Sequence, residues 1–264
     1  MTRRLWTVYK HEVAKAVRLK FTYLGPILVL LAVCCAPLMH PITRDDVSDY
    51  GFIAYATPLA LNLIGVLVIL LYCANLMSSE LGSGTLRMLL VRPVYRHDVL
   101  AAKLLLGMTY VVLLTALVTA TSWGLAFAFG DLRGVTYGGE QVYSNAEMAS
   151  AYGLGLLVNL CPQFAAVAFA LMLSSFTSSA GAAVGSTVGI WILLDTLKYP
   201  LGIAPYLFTS YMETSWRVFQ DRANVLPPSD WFPTTGYCIL ASAVSFVLCM
   251  AISTWVLSRR DLSA

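Results

Sequence analysis

Long apolar runs alternate with short polar stretches along nearly the whole chain. A helix needs about 20 apolar residues to cross the hydrocarbon core of a bilayer. The runs that approach or exceed this length are residues 21–39, 53–77, 99–129, 148–176, 180–199 and 234–257. The pattern therefore predicts an all-α polytopic membrane protein of six spans, with residues 1–264 forming a single transmembrane domain.

The polar stretches between the runs differ in character. Residues 3–20 hold six basic residues with apolar residues at helical spacing between them, which predicts an amphipathic helix in the membrane interface. A plain basic flank of the first span is the alternative, and the two are compatible. Residues 130–147, rich in glycine and acidic residues, predict a flexible outer loop. Residues 200–233 combine prolines with Trp and Tyr, which predicts one or two short helices at the outer interface.

Lysine and arginine are unevenly distributed over these stretches. Of the 17 in the chain, 12 lie before the first run, around the connection between the second and third runs, or after the sixth run. The other 5 lie in the remaining connections. Because basic residues accumulate on the cytoplasmic side of membrane proteins, this asymmetry places the N- and C-termini in the cytoplasm.

The composition excludes several classes of protein. Only 12% of the residues are charged, whereas a soluble domain carries about 25%. The sequence has no extended basic face away from the membrane, so it does not indicate a nucleic-acid partner. The six cysteines lack CxxC spacing and lie in or beside apolar runs, which favours packing roles over a disulfide or metal framework. We find no catalytic motif or metal site in the pattern, and therefore expect no enzyme activity.

Residues 80–97, between the second and third runs, form a polar segment whose sequence predicts a short amphipathic helix. Thr85 is placed to cap a short helix, Leu86 and Leu89 give that helix an apolar face, and Pro93 ends it. Glu80 is close enough in sequence to pair with Arg87 or Arg92, and Arg87 points away from the apolar face. A solvated basic loop that serves only topology is the alternative.

This segment resembles one found in the permease subunits of type-2 ATP-binding cassette (ABC) exporters. The resemblance is carried by Glu80, by Gly84-Thr85-Leu86-Arg87, and by Arg92-Pro93 followed by a basic residue. It implies a coupling helix that docks into a groove on the ATPase subunit. It also implies an elbow helix over residues 3–20 and a re-entrant outer segment over residues 200–233. The coupling residues carried over are Glu80, Thr85, Leu86, Arg87, Leu89, Arg92 and Pro93.

The resemblance also implies partners. The chain has no Gly-Lys dipeptide and hence no G-x-x-x-x-G-K-[ST] phosphate loop, so ATP and Mg are expected on a separate ABC ATPase subunit, in two copies. No cofactor is expected on this chain. A second permease copy completes the complex, as a homodimer or a heterodimer, in contact with lipids of a bacterial-type cytoplasmic (inner) membrane. A secondary transporter driven by an ion gradient and a non-transporting membrane scaffold are the alternative functions.

Gly181, Gly185 and Gly189 recur every four residues in the fifth run. Such a ridge of small residues lets another helix approach closely. Packing inside one subunit explains the ridge as well as packing between subunits does. The layout of the exporter family favours a dimer or gating seam.

Four polar residues inside the runs are candidates for a translocation pathway: Asn62, Asn159, Gln163 and Asp195. The three amides are equally typical of interhelical hydrogen bonds that only hold a bundle together. For Asp195, the plain explanation is an ion pair with Lys198, one turn further along the helix.

Overall fold

The computed structural model describes residues 2–42, 50–83, 95–137, 140–227 and 229–259. The helices are α1 (Thr2–Arg18), α2 (Lys20–Cys35), α3 (Tyr50–Pro58), α4 (Val66–Ser83), α5 (Arg96–Phe129), α6 (Asn145–Phe176), α7 (Ala180–Leu197), α8 (Tyr211–Thr214), α9 (Arg217–Ala223) and α10 (Thr234–Arg259). A π-helix (Leu59–Gly65) joins α3 to α4, and 3₁₀ turns lie at Ala36–Leu38, Ala204–Tyr206 and Phe208–Ser210.

Six helical stretches within the described residues are long and apolar enough to cross a membrane. They are Lys20–Leu38, Tyr50–Gly82, Arg96–Phe129, Asn145–Phe176, Ala180–Leu197 and Thr234–Arg259. The predicted fold class is therefore confirmed, and the chain is a multi-pass membrane protein. Leu19 separates α1 from α2 because its backbone is extended, with φ −85° and ψ 120°.

The helix ends meet in two groups. At one end, α1 packs along α5, and Arg96 Nη1 at the start of α5 donates to Leu257 O near the end of α10, at 2.7 Å. We call this the basal end. At the other end, Tyr50 Oη at the start of α3 donates to Asn145 Oδ1 at the start of α6, at 3.1 Å. We call this the distal end.

The second span is longer than residues 53–77, the range that its apolar run predicts. It runs from Tyr50 to Ser83 through α3, the π-helix and α4. The hydroxyls of Ser78 and Ser79 donate to carbonyls one turn earlier in the same helix, each at 2.7 Å. Because their polar groups are satisfied internally, the helix continues through them. Glu80 therefore lies in the last turns of a helix.

Within residues 130–137 and 140–147 the chain forms regular structure, whereas the composition predicted a flexible loop, and that expectation is corrected. Strands β1 (Val135–Tyr137) and β2 (Glu140–Tyr143) pair antiparallel. Gly134 precedes β1 with φ 100°, a backbone conformation that favours glycine. Ser144 and Glu147 then form a capping box, in which each side chain bonds the other residue's backbone N–H, and this starts α6.

Prolines inside three spans leave carbonyls that other helices bond. A proline has no N–H for the carbonyl four residues earlier. For Pro26 that carbonyl belongs to Thr22, and Tyr110 Oη of α5 donates to it at 3.0 Å. For Pro58 it belongs to Ala54, and Gln220 Nε2 of α9 donates to it at 3.1 Å.

The third case is weaker. The carbonyl freed by Pro162 belongs to Val158, and Cys238 Sγ of α10 lies 4.0 Å from its oxygen. A thiol is only a weak donor. In all three spans, a backbone group that lipid cannot satisfy becomes a tie between helices.

We expect Tyr110→Phe to lower the free energy of unfolding by about 1–3 kcal/mol, because the Thr22 carbonyl loses its donor in a partly buried place. The ring itself stays, stacked on Tyr72 at 4.2 Å between centroids. The measurement is the thermal unfolding midpoint of the purified chain in lipid nanodiscs. Tyr137→Phe, at an exposed position of β1, is the matched control and should leave the midpoint unchanged. Equal midpoints for the two variants would contradict the tie.

Residues 200–227, for which we keep the name outer segment from the sequence prediction, pack onto the distal end. Trp216 and Phe219 are fully buried, and their ring centroids lie 5.3 Å and 5.2 Å from that of Tyr152 on α6. Tyr211 Oη donates to Pro205 O at 2.7 Å, and burial raises the pKa of this phenol. The segment is therefore a folded cap with its own core contacts.

Candidate functional site

Four charged side chains from three helices meet at the basal end. Glu12 and Lys15 come from α1, Glu80 from α4 and Lys103 from α5. Lys103 Nζ lies 2.8 Å from Glu80 Oε2 and 3.1 Å from Glu12 Oε2. Lys15 Nζ forms an ion pair with Glu80 Oε1. Acid and base alternate in the order Glu12, Lys103, Glu80, Lys15, and we call this group the inner charge cluster.

The inner charge cluster is mostly buried. The Lys103 side chain is fully buried, those of Glu80 and Glu12 are 3% and 8% exposed, and that of Lys15 is half-exposed. Two carboxylates and two ammonium groups make the cluster neutral. Desolvated charges are tolerated only when they are paired, so each member depends on the others. The cluster therefore locks α1, α4 and α5 together.

The inner charge cluster also lies at the base of the 80–97 segment. Glu80 precedes residues 84–94 and Lys103 follows them, so the Glu80–Lys103 ion pair closes the base of the 80–97 segment. Next to it, Met77 of α4 and Leu100 of α5 pack with Leu257 of α10. A force applied to the segment would therefore act on four helices at once.

Gly82 connects the same base to the turn between α6 and α7. A Cβ at this position would lie 2.4 Å from the carbonyl oxygen of Ser178. That oxygen belongs to the backbone and cannot swing aside, so only glycine allows this approach. The base of the segment thus touches the start of the fifth span as well.

Of the predicted coupling residues, Glu80 lies in the inner charge cluster. The others, Thr85, Leu86, Arg87, Leu89, Arg92 and Pro93, lie outside the described residues. The suggested pairing of Glu80 with Arg87 or Arg92 therefore stays a prediction, and the structure gives Glu80 two lysine partners.

Sequence reasoning missed the partners of Glu80, although the sequence carries a signal for two members of the cluster. Glu12 is the only acidic residue among residues 1–44. Lys103 is the only charged residue in the run 99–129. A lone charge in such a setting requires a partner of opposite sign. Nothing in the sequence indicates that one carboxylate, Glu80, would join both lysines.

A second feature is a cleft of about 350 Å³ at the distal end. The second span, α7 and the outer segment line it. Two of the predicted pathway residues, Asn62 and Asp195, are on its walls. Asn62 Nδ2 donates to Met212 O of the outer segment at 2.7 Å, so the π-helix and the outer segment hold one wall together.

The other predicted pathway residues lie deeper in the bundle. Gln163 Nε2 donates to Asn62 Oδ1 at 3.3 Å, a hydrogen bond between α6 and the π-helix. Asn159 is buried, and neither polar atom of its side chain has a partner among the described residues. Lys198 Nζ lies 2.5 Å from Asp195 Oδ1, which is the ion pair that the sequence suggests.

The glycine ridge of α7 faces away from the rest of the chain. Gly181, Gly185 and Gly189 are exposed, and a Cβ at each would have no atom of the described residues within 4 Å. Within the part of the chain that the structure describes, nothing packs on the ridge. The described residues therefore give the ridge no packing partner inside the subunit, and the dimer or gating seam stays a prediction.

A model of a known protein family matches residues 37–263, which is most of the chain. The chain belongs to the DUF2705 family. DUF2705 is described as a protein of unknown function. The match begins after α2, so Glu12 and Lys15 lie outside it whereas Glu80, Lys103 and Asp195 lie inside. A search of the curated proteins finds no match.

Two features of this DUF2705 chain suit different roles. The inner charge cluster is neutral and mostly buried, and its members pair with one another, so it holds the helices together. The distal cleft is open and has a largely apolar wall that carries a few polar and charged groups, and its volume falls in the range of small-molecule sites, about 300–1,000 Å³. The two features occupy opposite ends of the second span.

Proposed function

We propose that this chain is the membrane-spanning subunit of an ATP-driven ABC exporter, coupled to a separate ATPase through residues 80–97. The observation that carries the proposal is the inner charge cluster, which fastens the base of that segment to α1, α4 and α5. A segment that receives mechanical work must be joined to the helices that it moves. Buried ion pairs provide such a joint, since separating them exposes unpaired charges in a low-dielectric place.

The path from the segment to the distal cleft is short. The second span runs from the inner charge cluster at one end to the cleft at the other, and its π-helix, which interrupts the regular α-helix, forms part of the cleft wall. Such interruptions are frequent at functional sites and permit local rearrangement of a helix. Gly82 against Ser178 couples the same base to α7, the opposite wall of the cleft. Displacement of the segment would therefore change both walls.

The remaining parts of the proposal follow from the resemblance to type-2 exporters and from the charge distribution. The N- and C-termini face the cytoplasm of a bacterial-type inner membrane. Two copies of the chain pair along the glycine ridge of α7, and two ATPase copies bind ATP and Mg. The substrate passes between the second and fifth spans and the outer segment.

The test is co-purification with a Walker-A ATPase encoded by a neighbouring reading frame. Arg87→Glu and Leu89→Asp should each weaken ATPase binding at least about tenfold, because they place a charge of the wrong sign or a buried charge in the docking surface. Stimulation of ATP hydrolysis should fall with binding. Arg133→Glu, the same change at an exposed site beside the hairpin, is the control and should bind normally.

Intact ATPase binding and stimulation by both variants would contradict the coupling assignment. Export from vesicles that hold the chain without any ATPase, driven by an ion gradient, would favour the secondary transporter. Absence of transport in both assays, with the chain folded, would favour the scaffold.

A further inference from the structure

The distal cleft has an excess of negative charge. Two carboxylates, Asp195 of α7 and Glu213 of the outer segment, line it. No Lys, Arg or His is among its described lining residues. Lys198 pairs with Asp195 from beyond the cleft, and its Nζ also lies 5.1 Å from the centroid of the Tyr199 ring. The charge of Asp195 is therefore neutralised by Lys198 at the end of α7.

Glu213 is different from Asp195. Its side chain is exposed, and the described residues offer it no hydrogen bond or ion pair. A carboxylate at the wall of an otherwise largely apolar cleft attracts a cation. Tyr55 and Trp191 also line the cleft, and aromatic faces attract the same kind of group.

Two buried polar groups in the cleft wall lack partners. Thr209 is 3% exposed and Trp191 is 9% exposed. Neither Thr209 Oγ1 nor Trp191 Nε1 has a hydrogen-bond partner among the described residues. Both atoms have almost no exposed surface of their own, so they lie beneath the surface of the cleft. The wall thus presents one unpaired carboxylate, that of Glu213, to a bound molecule.

We propose that the distal cleft binds an amphipathic organic cation, with its ammonium group at Glu213 and close to the aromatic side chains of Tyr55 and Trp191. The apolar part of the molecule lies along Leu59 and Leu63, which complete the wall. As the substrate class of the exporter, this assignment rests on the proposed function. As a binding site, it stands on the cleft alone.

The probe is dansylcadaverine, a fluorescent sulfonamide with a short alkyl chain and a primary ammonium group. Its N-acetylated form keeps the fluorophore and chain but has no charge. Binding is measured by fluorescence titration of the full chain in nanodiscs of phosphatidylcholine, whose zwitterionic surface holds little of the cation. We expect saturable binding of dansylcadaverine and at least about tenfold weaker binding of the acetylated form.

Glu213→Gln should weaken the binding of dansylcadaverine at least about tenfold and leave that of the acetylated form unchanged. Glu140→Gln, at another exposed carboxylate on the hairpin, is the matched control and should have no effect. Glu213→Asp should retain most of the affinity because the charge remains.

Equal affinity for the two probes, or unchanged binding by Glu213→Gln, would overturn the inference. The comparison of probes on the unmodified chain decides the question even if a variant folds poorly. The titration needs no ATPase, so failure of cation binding with intact ATPase docking refutes this inference alone. Cation binding without any docking refutes the proposed function alone.

Discussion

The Lys103→Met variant is expected to lose about 3–5 kcal/mol of stability, the largest effect of any single substitution considered for this chain. Lys103 is fully buried between the carboxylates of Glu12 and Glu80. Methionine fills a similar volume but leaves two desolvated negative charges with only the half-exposed Lys15 to balance them. The measurement is the thermal unfolding midpoint of the purified chain in nanodiscs.

Two comparisons separate the charge from other causes. Arg133→Met breaks an ion pair with Asp131 that is exposed on both sides, and should change stability by less than about 1 kcal/mol. Adding Glu12→Gln and Glu80→Gln to Lys103→Met should recover part of the loss, because no unpaired buried charge then remains. A Lys103→Met midpoint equal to that of the unmodified chain would show that the inner charge cluster does not fasten the helices.

The second large effect concerns assembly. On the proposed pairing of two exporter subunits along the glycine ridge, Gly185→Leu is expected to convert dimers to monomers and to abolish export, while the ATPase still docks and the monomer remains folded. A Cβ at this position meets no atom of the described residues, so the subunit itself has room for the larger side chain. In a close helix pair, the same side chain would force the backbones apart.

The measurement is the mass of the purified complex in detergent, together with ATPase co-purification. Gly124→Leu is the control, since Gly124 is exposed on α5 and is likewise open around its Cβ position. It should leave the mass unchanged. If Gly185→Leu still forms dimers and exports normally, the ridge is not part of the dimer seam. An unfolded variant would show that the ridge is needed for packing inside the subunit.

The spans were predictable because lipid imposes a length and a polarity that hydropathy detects directly. The ends of the spans were less predictable. The second span continues beyond Met77 because Ser78 and Ser79 satisfy their hydroxyls inside the helix and Glu80 is neutralised from two other helices. A hydropathy profile treats these three polar residues as the end of the apolar run.

The start of α6 had a local signal that hydropathy does not read. Ser144 and Glu147 have the S-x-x-E spacing of a capping box, which places the helix start at Asn145 and not at Met148. The hairpin before it depends on Gly134 at a positive φ and on cross-strand pairing. Glycine also suits flexible loops, so composition alone could not distinguish the two.

The candidate site was predictable only in part. Glu80 was identified through its resemblance to a known motif, and Asp195 with Lys198 through helical spacing. The pairing of Glu80 with Lys103 depends on how the chain before and after the 80–97 segment comes together. The contact of Glu80 with Lys15 depends on where α1 packs. Such contacts between distant parts of the chain are not encoded in local spacing.

The ties at Pro26 and Pro58 have a consequence for how related chains can diverge. Each proline frees one backbone carbonyl, and a distant donor, Tyr110 or Gln220, satisfies it. If the proline is replaced, the helix regains its own N–H for that carbonyl and the donor becomes dispensable. If the donor is lost first, the proline leaves an orphaned carbonyl in lipid. Replacement of the proline therefore relaxes selection on the donor, whereas loss of the donor before the proline is selected against.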